Sequence, residues 1–242
     1  MSLAELQNVI PIHIESAWQG TSDCRSCGIR DSALFADLNE HDFGQIHTPI
    51  DDMAFPLDSV LFHEGAQALG VFTLRKGMVK LVRSSADGRE RIVRVLRAGD
   101  VVGIEALATS HFDTEAVALT DVSVCRIPLS VLHHLSVHSP RLHVRLMQKW
   151  QQALKDADDW LAELNFGSAR QRVAGLVLKM RDVDQAQHTT LFARQDMGAM
   201  LDLKLETVSR EISALVRDGL LEPLDKSGRR YKILDEKKLL AL

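Results

Sequence analysis

The sequence predicts an α+β protein with a strand-rich N-terminal half, one long helix, and a C-terminal pair of helices followed by a hairpin. Three observations predict it. Between Phe55 and Leu129, short runs of Val, Ile and Leu are punctuated by Gly65, Gly70, Gly77, Gly88, Gly99 and Gly103. Turn signals this close together indicate many short strands, hence a β-sandwich, barrel or roll. From Ser139 the apolar residues recur at intervals of three and four, the period of a helix. From Arg194 two helical segments flank a three-residue turn and precede two strand-like runs.

Composition sets the bounds. A chain of 242 residues, 45% hydrophobic, can bury the core of one large domain or two small ones. No run reaches the roughly 18 to 20 consecutive apolar residues of a membrane span, and "MSLAELQNVIPIHIESAW" lacks the basic-then-apolar layout of a signal peptide. A cytoplasmic protein with no membrane partner is expected. Three cysteines, an odd number, argue against a disulfide framework and leave metal binding, redox chemistry or plain burial open. The net charge of −4 hides a gradient: residues 165–242 carry 14 Lys and Arg against 11 Asp and Glu, and the remainder carries 15 against 22. Only the C-terminal third has the sign that suits phosphate.

The strand-rich part contains one well-marked hairpin, "MVKLVRSSADGRERIVRVL", with strands from Met78 to Arg83 and Arg91 to Leu96 around Asp87-Gly88. Ser139 then serves as an N-cap and Pro140 as a first-turn residue, opening the long helix. Within it Leu146, Trp150, Ala153, Ala157, Trp160 and Leu164 step alternately by four and three, flanked by Met147, Leu154 and Leu161. That is the seam of a two-stranded coiled coil, and its persistence over about five turns favours a parallel homodimer over a helix packed only on its own domain. Asn165 to Ser168 break the helix, Ser168 caps a further one from Ala169 to Met180, and "RDVDQAQHTT" reads as a polar connection.

The C-terminal region carries the functional signal. A short helix from Gln195 to Leu201 has small Gly198 and Ala199 where a second helix can cross closely. The turn Asp202-Leu203-Lys204 leads into a helix from Leu205 to Arg217 ended by Gly219, a helix-turn-helix. "LLEPL" and "RRYKIL" around Asp225-Lys226-Ser227-Gly228 form a two-stranded wing. The second helix turns Val208, Ile212 and Leu215 inward and presents Glu206, Thr207, Ser209 and Arg210 near its start, the division a recognition helix needs to reach base edges in the major groove. Arg210 can give two hydrogen bonds to guanine, Glu206 can accept from cytosine N4, and Ser209 suits a base edge or phosphate. Arg194, Lys204 and Thr207 are assigned to phosphate, which positions the protein without specifying sequence. The rival class, an enzyme, finds no Gly-rich phosphate loop, nucleophile elbow or His-Glu metal motif.

These residues together resemble the cyclic AMP receptor protein/FNR (Crp/Fnr) superfamily of bacterial transcription factors. "GDVVGIEAL" resembles the Gly-Asp-x-x-Gly corner of its sensor roll, and "LETVSREI" is similar to the Glu-x-x-Ser-Arg recognition signature of its FNR branch. The resemblance implies an N-terminal extension (residues 1–30) and a β-roll of the cyclic-nucleotide-binding type (31–137). A dimerisation helix (138–164) and a winged helix-turn-helix (165–242) would follow. It implies a homodimeric activator that recruits RNA polymerase and reads a palindrome of TTGAT-type half-sites through Glu206, Ser209 and Arg210.

The signal is less clearly marked. Cyclic-AMP-binding relatives carry an Arg-Ser pair for the cyclic phosphate; here that position reads about Asp113-Thr114, and an acid there repels phosphate, which disfavours cyclic AMP. The FNR branch senses oxygen through a [4Fe–4S] cluster on four cysteines. Cys24, Cys27 and Cys125 match three of them, while the fourth position is Ala33, so a cluster here needs a non-cysteine ligand, with Asp31, Asp23 and His13 as candidates. A thiol switch, a zinc site, and two remnants with a buried strand cysteine are the alternatives. Haem is a further one, although no spacing among His63, His111, His133, His134, His138 and His143 picks out an axial ligand. Ala157 stands where FNR has the aspartate that keeps its cluster-free form monomeric, which implies a standing dimer.

Overall fold

The computed structural model describes residues 10–12, 27–46, 50–84, 90–164, 166–182 and 185–242. They divide into two compact units, Met1–Arg83 with Val93–Leu154, and Ser84–Ile92 with Lys155–Leu242.

The first unit is built on strands β1 (Ile10–Ile12), β2 (Asp51–Phe55), β3 (Val60–Phe62), β4 (Gly70–Lys76), β5 (Met78–Ser84), β6 (Glu90–Arg97), β7 (Val101–Val102), β8 (Glu115–Ala118) and β9 (Val122–Pro128). Among the described residues they form two antiparallel sheets, in the orders β1-β2-β9-β4-β7 and β3-β8-β5-β6. Strand-rich composition has thus closed into a roll around one apolar core that includes Val71, Leu74, Val79, Leu81, Val102 and Val124. Asp87 and Gly88 of the expected hairpin turn lie outside the described residues; the strands flanking them are as expected, each a residue or so longer. The Gly-Asp corner needs its glycine: Gly99 has φ +94°, and a Cβ there would meet the Ser32 side chain at 2.7 Å.

Helices also enter this unit. Before β2, Asn39 and Asp42 close a reciprocal capping box on the short helix α1 (Glu40–Phe43). Directly after β9, helix α2 (Leu129–His138) buries Val131, Leu132 and Leu135 in the roll's core. Helix α3 (Pro140–Leu164) follows after one residue: Ser139 donates its N–H to the Leu135 carbonyl at 2.7 Å, ending α2, and its hydroxyl accepts from the Leu142 N–H at 3.4 Å, starting α3.

The structure corrects the expected seam on α3. Leu146 packs into the roll's core, and Trp160 and Leu164 are buried in the second unit, where Lys179 Nζ stands 5.7 Å from the Trp160 ring centre. The stripe left exposed is Met147, Trp150, Leu154 and Leu161, with Ala153 and Ala157 half-buried. The physical reason is that the helix carries two adjacent apolar stripes, and the one read as the seam is partly consumed within the chain itself.

The second unit holds helices α4 (Ala169–Lys179), α5 (Arg194–Leu201), α6 (Leu205–Arg217) and α7 (Glu236–Leu240). Ser168 caps α4 through the Gln171 N–H in a full capping box. A sheet in the order β10-β12-β11 joins β10 (His188–Thr190) to β11 (Leu221–Pro223) and β12 (Arg230–Ile233). Strand β10 falls in the stretch read as a polar connection.

Candidate nucleic-acid interface and cysteine site

Helices α5 and α6 meet at a turn whose backbone is demanding. Asp202 has φ +53°, the left-handed conformation Asp tolerates better than most residues. A Cβ on Gly198 would stand 2.6 Å from the Leu203 carbonyl oxygen, so only glycine lets the turn fold back this closely. Arg172 of α4 donates to the Leu201 carbonyl at 2.7 Å and fastens the end of α5. Val208, Ile212 and Leu215 of α6 are buried, which fixes the rotation of the helix. Its opposite face then presents Glu206 and Arg210 to solvent, with Thr207 and Ser209 half-buried beside them and Lys204 exposed at the N-cap. Arg210 is 69% exposed, and its ion pair with Glu211, at 3.6 Å, is loose. The guanidinium is therefore available to a ligand in front of the helix.

Arg194 departs from its phosphate assignment. Its guanidinium donates to the Gly228 carbonyl at 2.9 Å and the Tyr231 hydroxyl at 2.6 Å, and packs 5.8 Å from the Tyr231 ring centre. It braces the wing against the start of α5, because its fork is satisfied by the protein before any phosphate arrives. In the wing turn, Asp225 accepts from the backbone N–H groups of Arg229 and Arg230 at 3.1 and 3.2 Å. Partial burial pulls the Asp225 carboxyl upward, but bonds from the Ser227 hydroxyl and these N–H groups outweigh it and hold the group below the usual carboxylate range.

In the first unit, Cys125 lies on β9 and is half-buried, as is Cys27 before the 3₁₀ turn Arg30–Ser32. Cys24, Asp23 and His13 lie outside the described residues. Cys125 Sγ donates to Asp52 Oδ1 at 3.1 Å, and Arg75 donates to Asp52 Oδ2 at 2.5 Å. Burial lowers the Arg75 guanidinium, yet Asp52 above all, with smaller contributions from Cys125 and Cys27, raises it beyond its ordinary value. Arg75 is thus the ion-pair partner of Asp52, the carboxylate that meets Cys125. Ala33 offers no ligating side chain, and its carbonyl accepts from Arg145 of α3, which also donates to the Asp31 carbonyl at 2.6 Å. Among the described residues no three His, Cys, Asp or Glu side chains surround one point as a single metal ion needs. His63, His111, His133, His134, His138 and His143 are all at the surface.

The arrangement of a roll, a long helix and a winged helix-turn-helix is matched by known proteins. Residues 53–138 match the cyclic nucleotide-binding domain family, and residues 171–242 match the Crp-like helix-turn-helix domain family. The chain is 28% identical over 225 residues to the fumarate nitrate reduction regulatory protein of Klebsiella oxytoca, covering 90% of this chain and 88% of that protein. The fumarate and nitrate reduction regulatory protein of Escherichia coli K12 is 27% identical, with 82% of each chain covered. The chain belongs to the Crp/Fnr family of transcription regulators. The solved structure of FixK2 from Bradyrhizobium japonicum superposes with a TM-score of 0.72 at 27% identity, covering 81% of this chain and 98% of that one. A CRP-family transcriptional regulator of Thermus thermophilus, 24% identical with a TM-score of 0.65 and covering 78% of this chain and 94% of that one, shares the fold.

For a Crp/Fnr regulator the geometry divides the work plainly. Helices α5 and α6 lie within its Crp-like helix-turn-helix domain, and no described helix is long and apolar enough to cross a membrane. Sequence reasoning missed Asp52 and Arg75, because nothing in "IDDMAF" or "FTLRKG" marks them until β2 and β4 flank Cys125.

Proposed function

We propose that this Crp/Fnr regulator acts as a homodimer that joins along the exposed stripe of α3 and reads a palindrome of two TTGAT-like half-sites. Arg210, Glu206 and Ser209 read base edges while Lys204 and Thr207 hold phosphate. The observation that carries the reading is α6 itself: Val208, Ile212 and Leu215 are anchored in the core, so Glu206 and Arg210 face outward together. The continuous apolar stripe of Met147, Trp150, Leu154 and Leu161 supports the dimer, since side chains this large and exposed are normally covered by a partner. Activation through RNA polymerase and a cytoplasmic setting go with this role.

The signal assigned to the sensor is oxygen, a change in redox state, or NO, received at Cys24, Cys27 and Cys125. An iron–sulfur cluster held there would supply the oxidant-sensitive chemistry. What supports it is that Arg75, paired with Asp52, brings a cation to the carboxylate that meets Cys125, and Thr73 beside Cys125 keeps a buried hydroxyl with no partner among the described residues.

A second reading, a small polar effector inside the roll, has its own observation: Glu105 Oε1 and Thr114 Oγ1 are buried without partners among the described residues. Cyclic AMP remains disfavoured for it, since Asp113 beside Thr114 is an acid.

Two measurements test the function. The protein should bind a duplex carrying the palindrome with an affinity that falls steeply as salt rises, and failure to bind any DNA in a salt-dependent way refutes it. Calorimetry with cyclic AMP should give no binding heat, whereas tight binding moves the sensor role from the cysteines to the roll interior.

A further inference from the structure

The free stripe of α3 ends on a titratable residue. His143, Met147, Trp150, Leu154, Ala157 and Leu161 follow one another at steps of four, three, four, three and four. At about 100° per residue they lie in a band roughly 80° wide, the stripe of a two-stranded coiled coil. All are exposed except Ala157, which is half-buried, whereas Leu142, Leu146, Trp160 and Leu164 on the adjacent stripe are buried. The repeat itself points to the occupant. A strict alternation of four and three is the pattern of a helix that packs on another of its kind, and large apolar side chains exposed along it call for such cover.

In a parallel pair with two-fold symmetry, a residue on the centre line meets its own copy. That suits Met147, Trp150, Leu154 and Leu161, where apolar meets apolar. His143 is the exception, because a histidine ring has an apolar body and an edge that takes on charge between pH 5 and 8. Neutral, two such rings pack and close the N-terminal end of the seam. Protonated, they set two positive charges against each other. His143 is also the fourth residue of α3, close to the positive end of the helix dipole, which opposes a further positive charge. Its side chain makes no hydrogen bond or ion pair with a described residue. The residues three and four away, Ser139, Pro140, Leu146 and Met147, include no acid. The charged and titratable groups on the elements that meet this end of α3 are engaged elsewhere. Arg141 pairs with Asp42 of α1 at 3.5 Å, Arg145 with Asp37 at 3.9 Å, and His138 of α2 bonds to the His134 carbonyl at 2.8 Å.

We propose that His143 makes dimerisation through α3 sensitive to pH: two neutral imidazoles complete the N-terminal end of the seam, and their protonation in acid drives the chains apart. The proposal rests on the reading that two chains join along the exposed stripe. Because like charges repel, the joined state is favoured where imidazole is neutral, above its ordinary titration range near pH 6.5, and is lost as pH falls through that range.

The test is dimer dissociation of the full-length protein, followed on fluorescently labelled chains by dilution at pH 8 and at pH 5.5 in the same ionic strength. Near-ultraviolet circular dichroism checks that every sample is folded at both pH values. The dissociation constant of the wild type should be at least about tenfold higher at pH 5.5. His143→Leu, apolar like the rest of the stripe, should remove most of that difference. His143→Lys, a fixed charge at the same place, should weaken the dimer at pH 8 itself. If the wild-type dimer is indifferent to pH, or His143→Leu keeps the full dependence, His143 is not the switch, while loss of the dimer with Leu154→Glu leaves the α3 seam standing. If the wild type is a monomer at pH 8, or Leu154→Glu leaves the dimer intact, the seam reading fails and this proposal fails with it.

Discussion

Arg210 and Arg194 are both arginines of the helix-turn-helix region, yet the fold gives them different surroundings. Arg210 is 69% exposed on the face of α6 opposite its buried residues, and a guanidinium presented this way can contact a base edge bidentately. Its replacement by Ala should lower affinity for the palindrome by about 1–3 kcal/mol, a factor of roughly 5 to 150, and relax preference at one base position. Lys204→Ala should weaken binding to all sequences alike and reduce the slope of log affinity against log salt by about one, as titration over a range of salt concentrations will show. Arg194→Ala should instead leave that slope unchanged and loosen the wing. The outward placement of Arg210 was legible because it depends on spacing within one helix. Arg194 was not, because Gly228 and Tyr231 lie more than thirty residues further along, and only the folded wing brings them to it.

At the scale of elements, α3 shows where periodicity stops being informative. Spacings of three and four located the helix and its apolar character, but a helix with two apolar stripes does not say which one its own chain will cover. Leu146, Trp160 and Leu164 were drawn into the chain's own cores, and Met147, Trp150, Leu154 and Leu161 were left outside. Helix α2 escaped notice because it begins at the last residue of a strand-rich stretch and is interrupted by no turn signal. Strand β10 escaped because three residues, His188 to Thr190, carry too little pattern and are a strand only by pairing with β12. One edge of α3 carries Arg141, Arg145 and Lys149 at intervals of four, reaching Asp42, the Asp31 and Ala33 carbonyls, and the Gly99 carbonyl in turn. This row ties the segment that follows Cys27 to the helix. Arg145→Ala should raise amide hydrogen exchange across residues 29–37 and lower stability by about 1–3 kcal/mol, the loss of hydrogen bonds to a largely buried charged group. The wing makes a pH prediction. A carboxyl held below its unfolded value contributes stability that is present above about pH 4 and is lost as pH falls through the folded value. Amide protection at Arg229 and Arg230 should therefore fall in acid, and Asp225→Asn should abolish that dependence.

For the whole molecule, the order of parts was readable from the chain alone: glycine-punctuated strands, a long amphipathic helix, then Asp202-Leu203-Lys204 between two helices and a wing around Asp225 to Gly228. What was not readable is every contact that joins residues distant in sequence, the Asp52–Cys125 pair above all, since a sheet register decides it. The proposed function requires two chains at this scale. Leu154, 61% exposed at the centre of the free stripe of α3, is the position at which a charge should do most harm. Leu154→Glu should give a folded monomer in sedimentation velocity and lose most of its affinity for the full palindrome. The central claim, that this Crp/Fnr regulator reads DNA as a two-fold dimer through α6, is tested most directly by sedimentation of the wild-type protein with a fluorescent duplex carrying both half-sites. The account predicts two chains per duplex, binding that weakens with salt, and loss of the complex with Arg210→Ala; one chain per duplex, or a complex indifferent to Arg210, would contradict it.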